Sequence, residues 1–284
     1  MSFATYDAAL DPDDPTTMRE FRVAVDPWLP APPRSDDWTV VARAPTVWAT
    51  FAAQPADART AIVPPVREMV DGMAEFLTRH AESGGLRIED YAELEEYCHY
   101  AAGTVGTLIT NLLTREATSA DRTEQLYDTA GSFARLLQLV NIAKDVHADY
   151  HEENNVYLPA TWLADVGVEQ EHVLADRNRD SVARVVERTA TRACSFLDDA
   201  QSYLEAMPRA DGNTLSAWSV PYLLSVGTLR ELERRPADAL TESGVKVNRE
   251  EVLAVMTAAG DTGVDALGDL RTSIAREPYS PAIE

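Results

Sequence analysis

From Pro45 onward the apolar residues recur at helical spacing, and no stretch alternates apolar with polar residues between hairpin turns. A chain with that single periodicity must bury stripes of helix against stripes of helix, which restricts it to an all-α architecture. The spacing predicts helices over Ala56–His80 with a bend at Pro64-Pro65, Ile88–Leu113, Asp121 to about His151, Ser181–Met207, Leu215–Arg234 interrupted by Pro221, Arg249–Ala259 and Val264–Arg276. Val47, Trp48 and Phe51 form a short apolar face ahead of these. Residues 1–40 mix acid with proline and are expected to be mostly irregular connector with one short helix around Thr17–Val25; residues 41–284 are expected to form a single helical domain.

Composition narrows the function. At 284 residues and 45% hydrophobic content a sizeable core is possible. Asp and Glu number 47 against 25 Lys and Arg, a net charge of −22, and that field repels nucleic acid and anionic headgroups. Only Lys144 and Lys246 are lysines, so an acidic, lysine-poor surface points to a halophilic setting in which salt screens self-repulsion. Cys98 and Cys194, each in an apolar helical pattern, suggest no disulfide framework and a reducing compartment. No apolar run approaches the ~20 residues of a membrane span, and "MSFATYDAALDPDD" lacks the start of a signal peptide. The expectation is a cytoplasmic protein with no transmembrane anchor, peripheral membrane contact being left open.

The chemistry concentrates in "LLQLVNIAKDVHADYHEENNVYLP", residues 136–159. On a regular helix Gln138, Asn141, Asp145 and Asp149 share an arc of about 80°, while Leu126, Phe133, Leu136, Val140 and Ala143 turn the other way. Two carboxylates one turn apart can each give an oxygen to Mg²⁺, which keeps waters and takes its other ligands from substrate phosphates. The alternative is a solvated acidic face. His147 and His151 are also one turn apart, but they project roughly opposite the aspartates and no third ligand is indicated.

This stretch resembles the second aspartate-rich motif of the squalene and phytoene synthases, Gln-x-x-Asn-Ile-x-Arg-Asp-x-x-x-Asp followed by a loop and a Tyr/Phe-Leu/Trp-Pro ending. The resemblance implies an isoprenoid-synthase-type helical bundle around a central cavity, with Asp145 and Asp149 holding Mg²⁺ against a prenyl diphosphate and Gln138 and Asn141 lining the same wall. Lys144 stands where the family usually has arginine, which keeps the charge and loses the bidentate fork. "GMAEFLTRH" at Gly72–His80 is a second stretch that resembles the family, and "LEEYCHYAAGTVGTLI" at Leu94–Ile109, which follows it, is similar to the family's Tyr-Cys-x-Tyr-x-Ala-Gly-x-Val-Gly helix. Tyr97 matches its catalytic tyrosine, and Ala102 and Gly106 match small residues beside the prenyl chains. Read locally, the same residues could simply be a core tyrosine and a close helix contact.

"AWSVPYLLSVGTL" at Ala217–Leu229 and "GVKVNREEV" at Gly244–Val252 resemble the reducing, squalene-forming branch, in which Lys246 and Arg249 would contact the phosphates of NADPH. Asn248 replaces a middle arginine there, and a loop lysine before a helix capped by Asn248 is the local alternative. The resemblance covers roughly Trp38 to Met256 and implies head-to-head condensation of two farnesyl diphosphates to presqualene diphosphate and its reduction to squalene. The other readings are a phytoene- or dehydrosqualene-type synthase without the reduction, and a non-catalytic prenyl-lipid-binding helical module. The family's first aspartate-rich motif has no match: "DPDDP" at Asp11–Pro15 reads as loop because its prolines break an i,i+4 face, and the chain is read as N-terminally incomplete.

Overall fold

The computed structural model describes residues 17–30, 32, 35–115, 119–208, 214–261 and 266–280; the acidic Asp11–Pro15 stretch lies outside the described residues. The helices are α1 (Thr17–Val25), α2 (Asp36–Ala42), α3 (Ala44–Ala52), α4 (Ala56–Arg79), α5 (Tyr91–Cys98), α6 (Thr104–Leu113), α7 (Ala120–Lys144), α8 (Val146–Glu153), α9 (Ala160–Ala164), α10 (Arg179–Cys194), α11 (Leu197–Ala206), α12 (Thr214–Arg234), α13 (Arg249–Asp261) and α14 (Leu267–Arg276). Among the described residues there is no strand, only an isolated parallel bridge between Arg87 and Val156. The all-α expectation holds.

The chain divides into two compact units, Met1–Arg67 and Glu68–Glu284, with the division falling inside α4 rather than near residue 40. In the first unit α1 occupies the predicted position. The helix α2 was not anticipated: Ser35 caps it by accepting from Trp38 N at 3.3 Å, a local signal that the surrounding prolines and acids obscure.

In the second unit α7 is the hub, packed by α6, α10, α11 and α12, while α12 also carries α13 and α14. The face of α7 that buries is the predicted one: Leu126, Phe133, Leu136, Val140 and Ala143 are all inaccessible. Each such large side chain contributes roughly 1.5–3 kcal/mol by leaving water, which is why a stripe of polar residues on the opposite face is tolerated.

Three predicted helices are broken where apolar spacing runs on unaltered. Ile88–Leu113 starts only at Tyr91, where Asp90 accepts from Glu93 N at 2.9 Å, and it contains a π-helical turn over His99–Gly103. Asp121–His151 is interrupted at Asp145, and Ser181–Met207 at Ser195–Phe196. Conversely, α12 continues through Pro221, where an interruption was expected. Proline's fixed φ is itself helical, and Ser225 Oγ donates to the Pro221 carbonyl at 2.8 Å.

Candidate active site

The polar stripe of α7 ends at a deliberate irregularity. Asp145 has φ −104° and ψ 16°, outside the helical region, yet its N–H still donates to the Asn141 carbonyl at 3.0 Å and its carbonyl accepts from Asp149 N at 2.9 Å. The ladder therefore carries across the break, and the two carboxylates remain one turn apart on successive helices. Asn141 is exposed, and Gln138, Lys144, Asp145 and Asp149 are half-buried. Lys144 Nζ pairs with Asp145 Oδ2, leaving the Asp145 carboxylate 40% accessible.

Asp149 has no such partner among the described residues, and its environment shows it. Burial, with Asp145 and then Glu153 adding repulsion, raises its pKa from the ordinary 3.8 to about 7, against a smaller opposing pull from Lys144. Two acids forced together and partly dried form a site whose cation, Lys144, pairs with Asp145 and offsets only part of the negative charge. That donor set, carboxylate oxygens with no imidazole or thiolate among them, suits a hard divalent ion completing its shell from phosphate and water. Among the described residues no group of three or more His, Cys, Asp or Glu converges as a ready metal cage. The rings of His147 and His151 lie with centroids 4.4 Å apart, tilted by 51°, and gather no further ligand among the described residues.

Tyr97 lies at the end of α5, just before the π turn, 6% accessible, with Phe76 edge-on at 5.6 Å. Its hydroxyl donates to Tyr157 Oη at 3.1 Å, and the two rings lie 4.8 Å apart. Burial first, then the neighbouring Tyr157, pushes its pKa far above the usual phenol value, and Asp149 adds to the effect. The same carboxylate also raises Tyr157, behind burial. The phenols and Asp149 thus belong to one electrostatic site.

Tyr157 is the residue that sequence reasoning passed over, although it opens the Tyr-Leu-Pro ending. The loop that carries it is laced to the segment before α5: Val156 N donates to Leu86 O at 2.9 Å, Ile88 N to Val156 O at 3.2 Å and Ala160 N to Ile88 O at 3.0 Å. Asn154 sits in the left-handed region at φ 56°, its carbonyl taken by Arg87. Gly85 is obligatory beneath it, since a Cβ there would lie 2.1 Å from the Asn154 carbonyl oxygen. The pair Gly84-Gly85 was the available signal, but its partner is some 70 positions away in the chain.

The other expected residues are placed differently. Gly106 is buried against α7, where a Cβ would stand 3.0 Å from Ala130 O and 3.3 Å from Ala134 Cβ, so helix packing accounts for its size; Ala102 is half-buried in the π turn. Lys246 and Arg249 are exposed, and Asn248 caps α13 by accepting from Glu251 N at 2.8 Å. Gly244 leads this segment past the Lys144 carbonyl, which a Cβ would approach to 3.9 Å. Both cysteines are free; Cys98 is buried as expected, whereas Cys194 is exposed because it ends α10. No helix among the described residues is long and apolar enough to cross a membrane.

A family model described as squalene/phytoene synthase matches residues 5–251. The chain is 28% identical over 200 residues to a chloroplastic phytoene synthase of an Oncidium hybrid cultivar, covering 70% of this chain and 46% of that one. It is 28% identical over 227 residues to phytoene synthase 1 of Arabidopsis thaliana, covering 79% and 50%, and 25% identical over 191 residues to a probable squalene synthase of Neurospora crassa, covering 66% and 38%. The chain spans about half the length, or less, of these relatives. A squalene synthase solved with the ligand E5700 shares the fold, with a TM-score of 0.69 at 18% identity over 86% of this chain and 75% of that one.

Proposed function

Because the chain belongs to the squalene/phytoene synthase family, whose members are prenyltransferases of isoprenoid biosynthesis, we propose that it condenses two prenyl diphosphates head to head. In the specific form, two farnesyl diphosphates give presqualene diphosphate, which NADPH reduces to squalene. The observation that carries this reading is the joining of an under-compensated carboxylate pair, Asp145 and Asp149, to a buried phenol pair through one hydrogen-bonded loop.

Asp145 and Asp149 would hold Mg²⁺, which when bound neutralises charge on a departing diphosphate. Lys144 keeps a cation at the same end, paired with Asp145 until an anion competes for it. Asn141, exposed on the same stripe, is free to reach substrate, with Gln138 one turn behind it. Tyr97 offers an oxygen to a proton and a ring face to a carbocation, and its apolar surroundings keep water from quenching the cation.

A second reading omits the reduction and gives a phytoene- or dehydrosqualene-type product. It is favoured by Asn248, which stands where the reducing branch has a middle arginine and whose side chain is committed to capping α13. Incubation with farnesyl or geranylgeranyl diphosphate and Mg²⁺, with and without NADPH, followed by identification of the hydrocarbon, tests both. Squalene formed only with NADPH supports the first reading, and product independent of NADPH the second. Binding of prenyl diphosphate with no product under any condition refutes both in favour of a non-catalytic prenyl-binding module.

A further inference from the structure

The side-chain amide of Asn155 uses both of its ends, and the direction of each bond is determined. Its Oδ1 accepts the Leu86 N–H at 2.8 Å, while Nδ2 donates to Glu153 Oε2 at 2.8 Å and to the Tyr157 hydroxyl at 3.0 Å. The amide cannot be turned round, because a backbone N–H has to meet the oxygen, so Tyr157 necessarily accepts from Asn155. The Tyr157 oxygen also accepts from Tyr97 at 3.1 Å. Its two acceptor positions are therefore filled, and among the described residues its own proton meets no acceptor. Tyr97 is in the complementary condition, with its proton committed to Tyr157 and its lone pairs open. The same Asn155 ties this pair to the acid helix through its backbone N–H, which donates to the Asp149 carbonyl at 2.9 Å.

We infer that Tyr157 holds Tyr97 as a proton acceptor by taking the proton that Tyr97 gives up, and that Asn155 is the positioning residue that orients Tyr157 for it. The inference rests on the condensation proposed above. When the cyclopropane ring of the condensed intermediate closes, a C–H bond breaks, its electron pair forms the ring bond and its proton passes to the Tyr97 oxygen. The proton already on Tyr97 moves to Tyr157, and that of Tyr157 goes to the diphosphate released in the same condensation. Three protons each move one place, neither phenol is left charged, and the net transfer is from carbon to diphosphate. A relay of this kind suits phenols whose burial makes a standing phenolate costly.

Tyr157→Phe keeps the ring against Tyr97 and removes only the relay oxygen. Its kcat is expected to fall about a hundredfold, within the range for general acid–base groups, with KM for the prenyl diphosphate unchanged. Asn155→Leu, which leaves the phenols and removes the donor, is expected to lose about tenfold in kcat. Wild-type kcat in Tyr157→Phe, or a fall matched by a proportional rise in KM, overturns the inference, since a loop-holding role acts through binding. Carbon NMR of ζ-labelled tyrosine at neutral pH, with Tyr97→Phe assigning the resonance, gives a readout that needs no turnover. The Tyr97 signal is expected to move in both variants. If the wild-type protein turns over no prenyl diphosphate, the proposed function fails, and the phenol chain is then judged on that signal alone: an unmoved Tyr97 resonance in Tyr157→Phe refutes it, a moved one sustains it.

Discussion

At the α7–α8 junction the charged and phenolic groups are set into a hydrogen-bonded frame, whereas between Gly244 and Arg249 the backbone is held and the charges are left in solvent. Asp149 and Tyr97 are both displaced from ordinary acidity, chiefly by burial. Lys246 and Arg249 are exposed, although their scaffold is firm: Val245 is buried, Arg235 donates to the Lys246 carbonyl at 3.3 Å, and Asn248 caps α13. Behind the segment Arg230 is buried against Glu251, donating at 2.7 and 2.8 Å, and also donates to the Ile274 carbonyl at 2.7 Å. Fixed, partly dehydrated groups can stabilise developing charge without reorganising, whereas solvated cations on flexible stems contribute longer-range attraction that salt screens. The junction is thus fixed and partly dehydrated, and the charges of the basic segment are solvated.

Substitutions at the junction should do the most damage to activity. Asp149→Asn is expected to reduce Mg²⁺-dependent condensation by about a thousandfold, several kcal/mol of lost charge stabilisation; near-normal turnover would remove the junction from the mechanism. The same variant should stabilise the metal-free protein. A carboxylate whose folded pKa lies near 7 rather than at 3.8 costs stability progressively as pH rises between those values. The melting-temperature advantage of Asp149→Asn should therefore grow from about pH 4 to about pH 7 and level off above.

Arg230→Met should cost about 3–5 kcal/mol by leaving Glu251 buried and uncompensated, which denaturant unfolding measures. It tests whether the basic segment's scaffold is as firm as its hydrogen bonds indicate. Gly85→Ala, forcing the Asn154 loop away from its seat, should cost about 1–3 kcal/mol as overpacking, and should lower activity further by shifting Tyr157. Lys246→Ala is expected to have the smallest effect, less than about tenfold and confined to NADPH-dependent turnover, as a single solvent-exposed charge would. A larger loss, or one in the first condensation, would show that the segment reaches the site that Gly244 passes.

Much of this was legible in the chain because it depends on local pattern. The apolar stripe of α7, the polar stripe opposite and the Tyr97 segment follow from local spacing, and the five residues that spacing selects are buried, together with Ala130, Ala134, Leu139 and Ile142, which it does not select. The breaks at Asp145 and Ser195 were not legible, since one non-helical residue leaves the apolar period undisturbed. Gly106 read as room for a ligand because a small residue looks the same whether it faces a cavity or the backbone of another helix.

Residue order alone determined that the molecule is a bundle of helices, that its acids fall in step on one of them, and which family's motifs it carries, because helical periodicity and motif spacing are short-range properties. Only the tertiary structure decided that Asp149 is buried with its charge incompletely compensated, that Gly85 must yield to Asn154, and that Asn155 and Tyr157 stand behind Tyr97. Those facts arise where segments 60 to 70 positions apart meet out of water, and burial and hydrogen-bond direction exist only once they have met.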